Sequence, residues 1–240
     1  MSETLSNIVR SSDRVAISAA LHIEVIADFV CPFCFIGKRH LDAALKAVQG
    51  PYDVSWNPFQ LNPEIPPEGL PFDIYLTKRF GSPANVEPVL EHLTEEGKAS
   101  GIQFRFDRIR HVPNTLPVHQ LMQHAATAGA DQSAMADHLM SAFFEDGSNI
   151  GERGILVDIA KAHGLSPQET QEASGSDRIR QIVATREAQV RSSGLASAPG
   201  FLINQRLLVV GAQPIDNMIN AFDRAMFGEG SDSLASPALH

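Results

Sequence analysis

The chain has only two cysteines, Cys31 and Cys34, separated by Pro32 and Phe33. Immediately before them, His22 to Phe29 (HIEVIADF) is rich in Ile, Val and Phe and predicts a strand apolar enough to be central in a sheet. Immediately after, Cys34, Leu41, Leu45 and Val48 recur at spacings of seven, four and three, which marks one helical face. Pro32 suits the first turn of that helix, where its missing N–H costs nothing. A strand running straight into a helix through Cys-x-x-Cys puts Cys31 at the helix mouth and Cys34 on the buried stripe.

Gly50-Pro51 stops the helix, and Tyr52, Val54 and Trp56 then alternate with Asp53, Ser55 and Asn57, predicting a second strand with one buried face. Pro58 to Pro71 contains five prolines and reads as an extended connector. Helical stripes follow: Val118, Leu121, Met122 and Ala125; Met135, Leu139, Ala142 and Phe143; Ile155, Leu156, Ile159 and Ala160, closed by Gly164. Ser166-Pro-Gln-Glu169 is a capping box, and Ile179, Ile182, Val183 and Val190 suggest a longer helix. Strand signals return in Phe201 to Ile203 and Leu207 to Val210, joined by Asn204-Gln205-Arg206. Pro214 opens a last helix with the stripe Ile215, Met218, Ile219, Phe222 and Met226.

The order is therefore βαβ, a helical block, then ββα. This predicts an α/β chain of the thioredoxin arrangement, with a large helical insertion between its halves. The expected division is an N-terminal extension over 1–21, the thioredoxin-like part over 22–62 and 195–228, the insertion over 63–194, and a tail over 229–240.

Disulfide exchange needs a thiolate nucleophile and a second thiol to resolve the mixed disulfide. At a helix start, unpaired backbone N–H groups and the helix dipole favour negative charge, so Cys31 is the expected nucleophile. Cys34, shielded on the same helix, is the expected resolving thiol. Phe33 adds neither charge nor a side-chain hydrogen bond, leaving the backbone to stabilise the thiolate. Two inert core cysteines are the plainer alternative. A zinc site would need two more ligands, and the chain has no second Cys pair. Ala198-Pro199 precedes the strand of the C-terminal hairpin; a trans turn proline is the commoner form, whereas a cis bond would turn the Ala198 backbone toward Cys31.

The formal net charge of −9 argues against nucleic acid or an anionic membrane as partner. No stretch approaches the roughly 18–20 apolar residues that span a bilayer. Glu3 and Arg14 interrupt any secretory pattern over Met1 to Leu21, so the expected location is the cytoplasm, where disulfides are usually transient.

The strings DFVCPFCFIGKRHLDAAL, WNPFQLNPEIPPEG, FDRIRHVPNTLPVHQL and SAPGFLINQRLLVVGAQP resemble the FrnE-like branch of the DsbA family. That branch is in turn similar to 2-hydroxychromene-2-carboxylate isomerase and kappa-class glutathione transferase. The resemblance runs from His22 to Phe227 and implies a cis-proline at Pro199. It also implies a substrate cleft lined by Pro32, Phe33, Ala198, Pro199, Asn114 and His119. Gln213, ahead of the last helix, would help hold a glutathione-like carboxylate. In the isomerase and transferase relatives serine typically replaces the first cysteine; here both cysteines remain, which favours redox chemistry. The expectation is a thiol–disulfide oxidoreductase acting on a thiol- or disulfide-bearing protein or small molecule. It would bind no cofactor or metal and could use glutathione as co-substrate. The alternatives are a glutathione-dependent isomerase or transferase and a non-enzymatic, chaperone-like binding module. Because such relatives include dimers, a homodimer stays open.

Overall fold

β1 (Leu21–Ala27) buries Leu21, Ile23, Val25 and Ala27 on one face and is hydrogen-bonded along both edges. In the computed structural model, which describes residues 21–228, β1 pairs in parallel with β2 (Tyr52–Pro58), bringing Ile23 beside Val54 and Val25 beside Trp56. The first element after β1 is α1 (Pro32–Leu45), with Cys31 as its N-cap. The expected strand stops two residues early, at Ala27. Asp28 to Cys31 form a turn closed by the Cys31 N–H donating to the Asp28 carbonyl at 3.3 Å. The proposed extension and tail lie outside the described residues, except that Leu21 already belongs to β1.

The middle of the chain opens with a short ribbon, β3 (Leu70–Pro71) against β4 (His111–Val112). Between these two lie α2 (Phe72–Phe80) and α3 (Pro83–Ala99). Five further helices follow: α4 (Leu116–Ala128), α5 (Gln132–Phe144), α6 (Arg153–Ala162), α7 (Pro167–Ser174) and α8 (Asp177–Ser192). The chain then returns to the sheet through β5 (Gly200–Ile203), β6 (Leu207–Val210) and α9 (Ile215–Phe227). The sheet order is β2-β1-β5-β6, with β5 antiparallel to both of its neighbours. Asn204 and Gln205 take positive φ, 50° and 54°, in the β5–β6 turn. This is the α/β thioredoxin arrangement with helices between its halves.

One continuous apolar core joins the sheet to the inserted helices, running from Ile23 through Phe35 and Leu41 to Leu121, Leu139 and Phe222. Each such side chain contributes about 1.5–3 kcal/mol when fully buried. Phe35 of α1 stacks on Phe144 of α5 with centroids 6.1 Å apart, and Phe104 meets Phe144 edge-on at 5.2 Å. Trp56 donates its Nε1–H to Ser133 Oγ at 3.2 Å, fastening β2 to α5. The stripes predicted for α4 and α5 are buried, and the Ser166 hydroxyl caps α7 by accepting from the Glu169 N–H.

Three expected faces are displaced. Tyr52 is 50% exposed, because the cover over β2 reaches Trp56 but not the strand's first residue. In α9 the buried set is Met218, Ala221, Phe222 and Ala225, while Ile215 at the helix start points out. In α8 only Val183 is fully buried, and Ile179, Ile182 and Val190 are half-covered.

Candidate active site

The site is built where β1 hands over to α1. Cys31 has extended backbone, φ −98° and ψ 114°, and its carbonyl accepts the first helical N–H groups, from Cys34 at 3.0 Å and Phe35 at 3.2 Å. No side chain caps the helix, so its first N–H groups and dipole are left to the Cys31 thiol. Pro32 and Phe33, in the first turn, are half-buried beside it. Cys34 lies one turn into the core, 1% exposed. Burial, above all, holds its thiol well above the usual range; a hydrogen bond with Cys31 and negative charge on Cys31 push the same way.

From the far end of the chain, the Ala198-Pro199 peptide bond is cis, and the Ala198 carbonyl accepts from Cys31 Sγ at 3.9 Å. Helix α1 comes this close because residue 37 is glycine. A Cβ there would stand 3.1 Å from Phe201 Cζ and 3.2 Å from Pro199 Cγ. Gly200 serves packing of a different kind: a Cβ on it would meet Leu195 at 2.9 Å, so Leu195 fills the space that a side chain would take.

Beneath the dithiol lies Asp28, fully buried. Its Oδ1 accepts from the Phe29 N–H at 2.8 Å and its Oδ2 from the Leu61 N–H at 2.7 Å. Charge on Asp28 also opposes ionisation of Cys34. His119, 3% exposed in α4, packs its ring on Phe29 and sets Nε2 3.5 Å from Asp28 Oδ1, without hydrogen-bond geometry. Tyr75 of α2 is held above the usual phenol range, mainly by burial, with negative charge on Cys31 and Asp28 adding to it.

The structure therefore brings Cys31, Cys34, Pro32, Phe33, Ala198 and Pro199 together. His119 stands behind them, against Asp28. Asn114 precedes α4 and is engaged as a clamp: its Nδ2 donates to the Ile65 carbonyl at 2.6 Å, and its Oδ1 accepts from the Leu116 N–H at 2.9 Å. Gln213 Nε2 donates to the Val210 carbonyl and its Oε1 accepts from Asn217, while its own carbonyl meets His40 Nδ1 at 2.8 Å. Asp28 and Tyr75 were not singled out from sequence. An acid ending an apolar strand three residues before Cys31 was the available signal for Asp28, and Tyr75 carried none. Among the described residues, no three His, Cys, Asp or Glu side chains converge to hold a metal ion.

A thioredoxin-type sheet, a dithiol at the start of α1 and a cis-proline facing it define a protein of the thioredoxin class. Residues 22–223 match the DSBA-like thioredoxin domain, and the chain belongs to that family. Over 145 residues it is 30% identical to the uncharacterized protein YwbO of Bacillus subtilis, covering 60% of this chain and 67% of that one. Among solved structures, a probable DsbA oxidoreductase from Streptomyces coelicolor is similar with a TM-score of 0.79 and 24% identity, covering 91% of this chain and 94% of that one. The cytosolic disulfide reductase DsbM from Pseudomonas aeruginosa, solved with GSH, is similar with a TM-score of 0.57 and 20% identity, covering 85% and 95%. A 2-hydroxychromene-2-carboxylate isomerase shares the fold at a TM-score of 0.61 and 10% identity, covering 85% and 95%.

Proposed function

We propose that the chain is a thiol–disulfide oxidoreductase in which Cys31 attacks and Cys34 resolves. The observation that carries this reading is the asymmetry of a pair that is buried at both positions: Cys31, 4% exposed, caps α1 with its sulfur on the Ala198 carbonyl, while Cys34 lies inside the helix with its thiol pKa raised by burial. The Cys31 thiolate attacks one sulfur of a substrate disulfide; the S–S bond breaks, and the departing thiolate takes up a proton from solvent. The Cys34 thiol then gives up its proton and attacks Cys31 Sγ, which releases the second substrate thiol and leaves a Cys31–Cys34 disulfide. Substrate is reduced by two electrons and the dithiol is oxidised by two. Asp28 is the buried carboxylate available to take the Cys34 proton, with His119 behind it.

Glutathione is the thiol proposed to return the disulfide to dithiol, and the cytoplasm is the proposed compartment. No helix among the described residues is long and apolar enough to cross a membrane. The test is insulin reduction with dithiothreitol or glutathione as electron donor, using wild type, Cys31→Ser and Cys34→Ser. Turnover lost in both variants is expected. Turnover that survives Cys34→Ser with glutathione alone would replace Cys34 as the resolving thiol with glutathione itself, through a Cys31–glutathione mixed disulfide. Full activity in Cys31→Ser would sink both.

A further inference from the structure

Away from the dithiol, α2 and α3 enclose an open groove of about 860 Å³, in the upper part of the range for ligand clefts. Its floor is apolar: Leu76 of α2, Val86 and Leu90 of α3, and Phe104 and Phe106 of the following segment. Phe104 is buried in the aromatic core, but the other four are less covered. Helix α2 buries none of its side chains, and α3 buries only Leu93 and Gly97. Leu76, Val86, Leu90 and Phe106 are therefore only half-buried within the protein itself.

The charged residues that line the groove are all acidic. Asp73, Glu87, Glu91, Glu95 and Asp107 line the groove, and no Lys, Arg or His does. Glu95 is paired with Lys98 at 2.6 Å and Asp107 with Arg105 at 2.8 Å. Asp73, Glu87 and Glu91 have no ion pair among the described residues. An apolar floor under three carboxylates without an ion-pair partner disfavours an anionic ligand by repulsion. It gives a small hydrated cation no reason to shed its water onto Leu and Phe side chains. What fits is a chain with both characters, since Lys and Arg lay their methylene stems along apolar surface while their heads reach outward to charge.

We infer that the α2–α3 groove is a docking site for a basic, amphipathic polypeptide segment, whose apolar side chains cover Leu76, Val86, Leu90 and Phe106 and whose Lys or Arg heads meet Asp73, Glu87 and Glu91. Segments that lay one apolar face into such a groove are a recurring mode of recognition. The groove's lining includes neither cysteine nor Pro199, so docking there is independent of the disulfide chemistry proposed above.

The test is fluorescence anisotropy of a labelled, cysteine-free Leu/Lys amphipathic peptide titrated with the full chain. Saturable binding is expected, weakened about fivefold by Glu87→Gln with Glu91→Gln, since the double variant removes two exposed ion pairs. A peptide with Leu replaced by Ser, and one with Lys replaced by Glu, should both bind worse than the parent. Cys31→Ser should bind as wild type does, and the double Gln variant should keep the wild-type rate of insulin reduction. Equal affinity of the double Gln variant, or equal binding of either altered peptide, overturns the inference. So does saturable binding of a small cationic amphiphile with no binding of the peptide.

Discussion

The Cys31 thiol lies 3.9 Å from the Ala198 carbonyl oxygen, a residue 167 positions away in the chain. Two halves of the fold, separated by the whole helical insertion, thus meet at one sulfur. Gly37 makes the approach possible, because the face of α1 that it presents touches Phe201 and Pro199. Two opposing effects decide what a side chain there would do. Replacing Gly by Ala inside a helix gains up to about 1 kcal/mol, whereas overpacking a core costs about 1–3 kcal/mol. Gly37→Ala, with contacts of 3.1 and 3.2 Å to absorb, should stay within about 1 kcal/mol of wild type. Gly37→Val adds branching to the same crowded space and should cost about 1–3 kcal/mol. Urea unfolding gives the stabilities. Iodoacetamide labelling of Cys31 should change in the Val variant more than in the Ala variant.

Because burial raises the Cys34 pKa, folding becomes pH-dependent through this residue. The folded chain holds the Cys34 proton more tightly than the unfolded chain does. The associated stability is fully present below the unfolded thiol's pKa of about 8.5 and is lost as pH rises from there through the folded value. Urea midpoints of the reduced protein should fall between about pH 8 and 10, and Cys34→Ser should show a shallower fall over the same interval. Parallel curves for the two proteins would remove the assigned cause.

Asp28→Asn tests the buried carboxylate. The substitution replaces one acceptor oxygen with an NH₂ that must face the Phe29 or Leu61 N–H, so two donors oppose each other in the core. A loss of about 1–3 kcal/mol in stability is expected. Removing the charge lowers the Cys34 pKa, which alone would speed resolution; removing the acceptor slows it. General bases contribute about 10²–10⁴-fold, so loss of the acceptor should win near neutral pH. Stopped-flow decay of a mixed disulfide should be slower in Asp28→Asn and recover as pH is raised. Unchanged decay would leave Asp28 a purely structural residue.

The dithiol and the elements around it were legible because each is local: a run of β-formers, a proline, and an apolar stripe that begins at Cys34. The α4 and α5 stripes were legible for the same reason. What failed was whatever depends on distant chain. Alternation gives Tyr52 the same face as Trp56, but only the packed structure shows that α5 covers one end of β2 and not the other. The strand predicted over His22 to Phe29 includes Asp28 without a reason for its burial, which comes from the Leu61 N–H, 33 residues on, donating to its Oδ2. For Asn114 and Gln213, which the resemblance implies as site residues, the sequence does not show the side-chain partners, which are Ile65, Leu116, Val210 and Asn217. Side-chain partners chosen across such separations leave no periodic trace.

Gly97 offers a sharper contest between helix propensity and packing than Gly37 does. It lies in α3, where Ala would again gain up to about 1 kcal/mol from propensity. A Cβ at this position, however, would stand 2.3 Å from Phe104 Cδ2 and 2.6 Å from Cε2. Phe104 cannot swing aside freely, because its ring is wedged between Phe35, Phe106 and Phe144, with centroids 6.2, 5.0 and 5.2 Å away. Either the ring is displaced or α3 moves off the core, and the cost of about 1–3 kcal/mol exceeds the helical gain. Gly97→Ala should therefore lower the melting temperature, the reverse of what Gly→Ala does on an exposed helix. The same change shifts a floor residue of the α2–α3 groove, so binding of the Leu/Lys peptide should weaken at temperatures where circular dichroism shows the variant fully folded. A variant as stable as wild type would show that the aromatic cluster repacks without loss, and that α3 is held less firmly against it than these distances require.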